Sequence, residues 1–110
     1  MKTYRGVRSD DGCSVTVDGR PLNPRYDLRN HSPTGFEWGY AGSGPAQLAL
    51  ALLADHLGDD EQALDVYQRF KLTVVGGLPA EWTLTAEELR DALKRLAEKE
   101  AGRAHQGASA

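Results

Sequence analysis

A chain of 110 residues, 40% apolar and 26% charged, has the make-up of one soluble globular domain with a single core. It has no apolar run long enough to cross a bilayer. Its net charge of −3 is unevenly spread, with six basic side chains (Lys2, Arg5, Arg8, Arg20, Arg25, Arg29) against four acidic ones in residues 1–34 and seven against twelve in the remainder, a balance that argues against a partner made of duplex nucleic acid.

The first residues, Met1-Lys2-Thr3-Tyr4-Arg5, are polar and no apolar segment follows them, which predicts no secretory leader and a cytoplasmic location. Residues 3–8 suit a strand, and Ser9-Asp10-Asp11-Gly12 signals a turn. Cys13, Val15 and Val17 then alternate with Ser14 and Thr16, the pattern of a half-buried strand. Together these segments predict an N-terminal hairpin. Cys13 falls on its inward face as a small core residue, and a lone cysteine makes no internal disulfide. From Arg20 to Tyr40 the periodicity disappears, and Pro21, Pro24 and Pro33 forbid a long helix. Irregular stretches of this length are usually functional or disordered. Tyr26, Phe36, Trp38 and Tyr40 argue against disorder here.

Pro45 suits the first turn of a helix with Gly44 or Ser43 at its N-cap, Gly58 stops that helix, and Leu48 to Ala54 is apolar on every side. A helix without a polar stripe predicts burial on most of its circumference. Asp59 or Asp60 caps a second helix, whose inward face is Ala63, Val66, Tyr67 and Phe70. Lys71-Leu72-Thr73-Val74-Val75 alternates and ends at Gly76-Gly77, which predicts a short strand, with a helix running on to Val75 as the competing reading. Trp82 reads as a core plug, or else as an exposed contact for a partner. Thr85 and Glu88 form a capping box, Leu84 and Leu89 a hydrophobic staple, and Leu89, Ala92, Leu93 and Leu96 the apolar stripe of a last helix. The expected architecture is α+β: a small antiparallel sheet of about three strands packed against a buried central helix and two amphipathic helices. It forms one domain over residues 1–100, with a flexible C-terminal tail over 101–110.

Residues 39–44 look like a phosphate-binding loop, but Pro45 and Ala46 stand where lysine and a hydroxyl residue are needed. Ser43 lacks the glycines two residues before and after it that a nucleophile elbow needs, where Ala41 and Pro45 stand. What survives is a glycine-rich turn at a helix start, where free N–H groups and the positive end of the dipole gather. The candidate ligand-binding residues are therefore Gly42, Ser43 and Gly44, with Trp38 and Tyr40 to stack on a base and Arg25 and Arg29 to meet a phosphate. The competing reading makes the turn a packing device and Phe36 and Trp38 core. His31 and Glu37 are the loop's candidates for an acid–base pair, against the commoner role of an isolated loop histidine as a solvated or loop-bracing hydrogen-bond partner. Asp55, His56, Asp59 and Asp60 cluster at a helix junction, where aspartate is expected as a cap and no second histidine completes a metal site. No catalytic residue, metal or cofactor is expected.

The runs Gly35-Phe36-Glu37-Trp38-Gly39-Tyr40 and Gly42-Ser43-Gly44-Pro45-Ala46-Gln47-Leu48-Ala49, with Tyr67-Gln68-Arg69-Phe70-Lys71 and Trp82-Thr83-Leu84-Thr85, resemble a family of small uncharacterised proteins from prokaryotes, archaea and their phages, from about Tyr4 to Leu96. The resemblance carries no activity and no catalytic residues. It implies a setting on phages and mobile elements, where small proteins counter host defence, and hence the host cell cytoplasm as location. The leading expectation is a non-catalytic binding protein that sequesters a phosphorylated small molecule or nucleotide signal. The alternative is a protein–protein inhibitor or accessory factor that uses the acidic helices to act on a host protein; a homo-oligomer is compatible with either. The first requires a concave basic-aromatic site, and the second an exposed apolar patch. An enzyme requires His31 and Glu37 within hydrogen-bond reach of each other.

Overall fold

The computed structural model describes residues 2–109, with side chains described through residue 102. Three strands come first, β1 (Thr3–Ser9), β2 (Gly12–Val17) and β3 (Arg20–Pro21), followed by α1 (Ser43–Leu57) and α2 (Asp60–Thr73). A single 3-10 turn (Val75–Gly77), β4 (Glu81–Thr85) and α3 (Ala86–Ser109) complete the chain. The backbone over 101–109, where a flexible tail is expected, continues α3 as far as Ser109, and the side chains beyond residue 102 lie outside the described ones.

The sheet has four antiparallel strands in the order β3-β2-β1-β4. Register sets its inner face: Tyr4 pairs with Val17 and Leu84, Gly6 with Val15 and Trp82, and Arg8 with Cys13. The alternation of Cys13, Val15 and Val17 thus points inward as expected, and Tyr4, Val15 and Trp82 are buried, the Tyr4 hydroxyl bonding Asp55 of α1. Gly6 has a definite reason to be glycine. A Cβ there would run into the indole of Trp82 on the neighbouring strand.

α1 is the centre of the molecule, buried from Gly44 to Ala54. Its alanines let α2 approach closely, and α2 turns Ala63, Tyr67 and Phe70 towards it. Gly58 ends α1 in the left-handed conformation (φ 63°), and Asp59 caps α2 by accepting from the Gln62 N–H at 3.1 Å. The capping box forms as expected. Thr85 Oγ1 accepts from the Glu88 N–H, and Glu88 Oε1 accepts from the Thr85 N–H, both at 3.1 Å.

Two expectations change. Residues 71–75 are not a strand: α2 continues to Thr73 and the Val74 N–H still donates to Phe70 at 2.9 Å. The β-branched Thr73 is accommodated in the last turn because its hydroxyl donates back to the Arg69 carbonyl at 2.9 Å. The edge of β1 that such a strand would need is taken by β4, so Trp82, expected as a plug between elements, is a strand residue whose side chain is buried in the core.

Candidate functional site

The irregular stretch between β3 and α1 is ordered by one buried side chain on α1. Gln47 is fully buried. Its Nε2 donates to the carbonyls of Pro24 (2.6 Å) and Arg29 (3.0 Å), and its Oε1 accepts from the N–H groups of His31 (2.8 Å) and Ser32 (3.3 Å). A loop without secondary structure needs partners for its backbone, and this amide supplies four of them. A glutamine one turn inside a helix of leucines and alanines was the available signal in the sequence.

The same loop delivers Trp38 to the core. Its Nε1 donates to the Pro79 carbonyl at 2.8 Å, and its ring meets Trp82 edge-on, centroids 5.6 Å apart. The Arg8 guanidinium lies 5.1 Å from the Trp38 ring centroid and donates to the Trp38 carbonyl (2.6 Å) and to Glu37 Oε1 (2.7 Å). That bond holds the Glu37 carboxyl below its usual range, while burial pushes the Cys13 thiol up. The two indoles differ in one respect. Trp82 Nε1 is buried without an acceptor. Both Trp→Phe changes remove similar volume, so Trp38→Phe is expected to cost about 1 kcal/mol more than Trp82→Phe in urea unfolding, because only the former breaks a hydrogen bond and orphans a carbonyl.

The residues selected from the sequence separate into groups. Tyr40, Gly42, Ser43 and Gly44 stay together at the start of α1. Tyr40 is 51% exposed and its ring folds over Gly42, where a Cβ would lie 2.6 Å from it. The N-cap is Gly42, extended and without a side-chain cap bond, and not the expected Gly44 or Ser43, which already lie in the helix; Ser43 is exposed, and Gly44 packs against Glu37. Trp38 lies next to them, but with its ring in the core. Arg25 sits with Ala51 and Asp55, roughly 12 Å down α1 from Ser43 by helical rise. It is held there in a left-handed conformation (φ 59°), with Asn23 Oδ1 accepting its N–H at 2.9 Å and ion pairs to Asp27 (3.1 Å) and Asp60 (2.9 Å). Arg29 is exposed and donates to the Leu28 carbonyl. The arginine beside the turn is Arg8, which strand alternation places on the inner face with Gly6.

His31 and Glu37 have separate partners. His31 Nε2 bonds the Tyr67 hydroxyl at 2.7 Å, and Glu37 bonds Arg8. The aspartates of the helix junction are likewise engaged. Asp59 caps α2, Asp60 holds Arg25, and Asp55 Oδ2 accepts from the Tyr4 hydroxyl (2.6 Å) and Lys2 (3.1 Å). Burial, reinforced by that bond, keeps the Tyr4 phenol protonated well above its usual range. Among the described residues no three His, Cys, Asp or Glu side chains are grouped to hold a metal, and no helix is long and apolar enough to cross a membrane.

Two hollow regions mark the surface. One surrounds Asp55, with cavities of about 290 and 180 Å³ walled by Lys2, Asp18, Arg20, Asn23 and Arg25. The other is a groove between the C-terminal half of α2 and the middle of α3. Its two adjoining cavities of about 190 and 170 Å³ share Thr73, Leu96 and Lys99. Leu72 stands on its lip, 65% exposed, the most open of the exposed large apolar side chains. Val74 and Ala92 floor one end, Arg95 and Lys99 rim it, and Arg69 is paired with Glu100 at 3.0 Å.

Residues 4–95 match a family of unknown function, DUF6166. The chain belongs to that family. No curated protein and no solved structure matches it. The matched residues of this DUF6166 member take in β1 to β4, α1, α2 and the first part of α3, so one wall of the groove lies within the family's span and Leu96, Lys99 and Glu100 lie beyond it.

Proposed function

We propose that the protein is a non-catalytic binding protein that grips another protein through the groove between α2 and α3. The observation that carries this reading is Leu72, an open leucine on the lip of a hollow lined by Val74, Ala92 and Leu96. An apolar side chain held in water beside an unfilled apolar groove gains free energy when a partner covers both. The reading that features a phosphorylated ligand keeps the free N–H groups at the start of α1, with Tyr40 beside them. It has no open indole to stack on a base, and its Arg25 is committed to Asp27 and Asp60. In the setting implied by the sequence resemblance, the gripped protein is a host protein.

Leu72→Asp tests the reading directly. An exposed position carries little stability, so the melting temperature is expected to change by no more than a few degrees. When wild type and variant are used as bait in a lysate of the source cell, a protein retained by the wild type and absent from the variant is the expected result. Identical retention by both places binding elsewhere. A nucleotide-induced rise in melting temperature of several degrees, lost in Arg29→Ala, would instead restore the phosphorylated ligand.

A further inference from the structure

Resting on that reading, we infer that the groove between α2 and α3 receives an acidic amphipathic helix of the partner. The first ground is the backbone. Both walls are helices, whose N–H and C=O groups are bonded within themselves apart from the last carbonyls of α2, and all four strands lie elsewhere, so no strand edge faces the groove. The groove therefore offers no row of main-chain donors and acceptors to an extended segment, and an incoming chain must satisfy most of its own backbone, which a helix does.

The second ground is shape. Ala92, Leu96 and Lys99 follow one another at helical spacing along α3, a line of roughly 10 Å. The two cavities meet at Leu96 and Thr73. Neighbouring hollows of this kind suit two apolar side chains one helical turn apart, which stand about 6 Å from each other.

The third ground is charge. Arg69 is neutralised by Glu100, but among the described residues Arg95 and Lys99 have no ion-pair partner. The rim is thus positive on a chain of net charge −3, and carboxylates flanking the apolar anchors would meet it. A second copy related by a twofold axis would set Arg95 and Lys99 against their own counterparts, so the charge pattern selects a different, acidic partner.

The test uses the full chain and two fluorescein-labelled helical peptides. Both carry leucines one turn apart; one has glutamates and the other lysines at the flanking positions. Fluorescence anisotropy is expected to show binding of the glutamate peptide, weakening as salt rises, and little binding of the lysine peptide. Arg95→Glu combined with Lys99→Glu is expected to weaken the glutamate peptide by about tenfold or more and to favour the lysine peptide. Leu72→Asp is expected to abolish binding, and thermal melts of each variant verify folding. Equal binding of both peptides, binding of neither, or indifference to the charge reversal overturns the acidic helix. If binding survives reversal but not Leu72→Asp, the groove remains the binding surface and only its occupant is wrong. If it survives Leu72→Asp as well, the groove reading falls with it.

Discussion

Gln47→Leu is expected to lower the unfolding free energy by about 3 kcal/mol, roughly 10 °C or more in Tm for a domain of this size. Leucine matches the apolar surroundings of α1, so packing is nearly preserved and the loss is polar. The carbonyls of Pro24 and Arg29 and the N–H groups of His31 and Ser32 lose their shared partner at once. Each orphaned group costs about 1 kcal/mol or more where water does not reach it. Gln47→Glu separates this cause from general core disruption. A carboxylate still accepts from His31 and Ser32 but faces two carbonyl oxygens, so it is expected to destabilise strongly at neutral pH and to recover in part in acid, where a protonated carboxyl donates to one carbonyl. Urea unfolding of wild type and both variants at two pH values measures this. A Gln47→Glu variant as stable as wild type at neutral pH would show that the amide does not pin the loop.

Gly6→Ala is the second large loss, about 3 kcal/mol, from a single added carbon. Gly6 pairs with Trp82 across β1 and β4, and the indole lies over the position a Cβ would take. The ring cannot slide freely, because it packs perpendicular to Trp38, which is itself bonded to Pro79. Overpacking at a site closed on all sides costs roughly 1–3 kcal/mol, and the upper end applies where a large rigid ring must move. Trp82→Leu in the same chain makes room for the methyl group. A double-mutant cycle of Gly6→Ala and Trp82→Leu is therefore expected to give a favourable coupling of about 1–2 kcal/mol. Additive losses would mean that the alanine is harmful for some reason other than the indole.

These two residues also show where the sequence was legible and where it was not. The hairpin from β1 to β2, the buried α1 and the Thr85–Glu88 capping box could all be read in advance. Their signals, alternation, an apolar circumference and reciprocal capping, act within a few residues of one another. β4 could not be read with the same ease. Trp82 and Leu84 alternate, but over five residues after a Gly-Gly-Leu-Pro stretch, and only the free edge of β1 makes them a strand. Conversely, residues 71–75 had the alternation of a strand and no edge left to join.

The candidate site divides along the same line. The sequence by itself determined that α1 begins at a glycine-rich turn and that the surrounding loop carries aromatic and basic side chains, because both follow from residue type and local backbone preference. Which of those side chains remain available was decided by tertiary structure. Trp38 is drawn into the core by its contact with Trp82, Arg25 is fixed far down α1 by Asp60, and Arg8 arrives from a strand distant in sequence. The groove beside Leu72 had no counterpart in any one segment. α2 and α3 each read as an ordinary amphipathic helix, and a hollow with a positive rim exists only where their surfaces meet, since burial and charge complementarity belong to pairs of elements and not to either one alone.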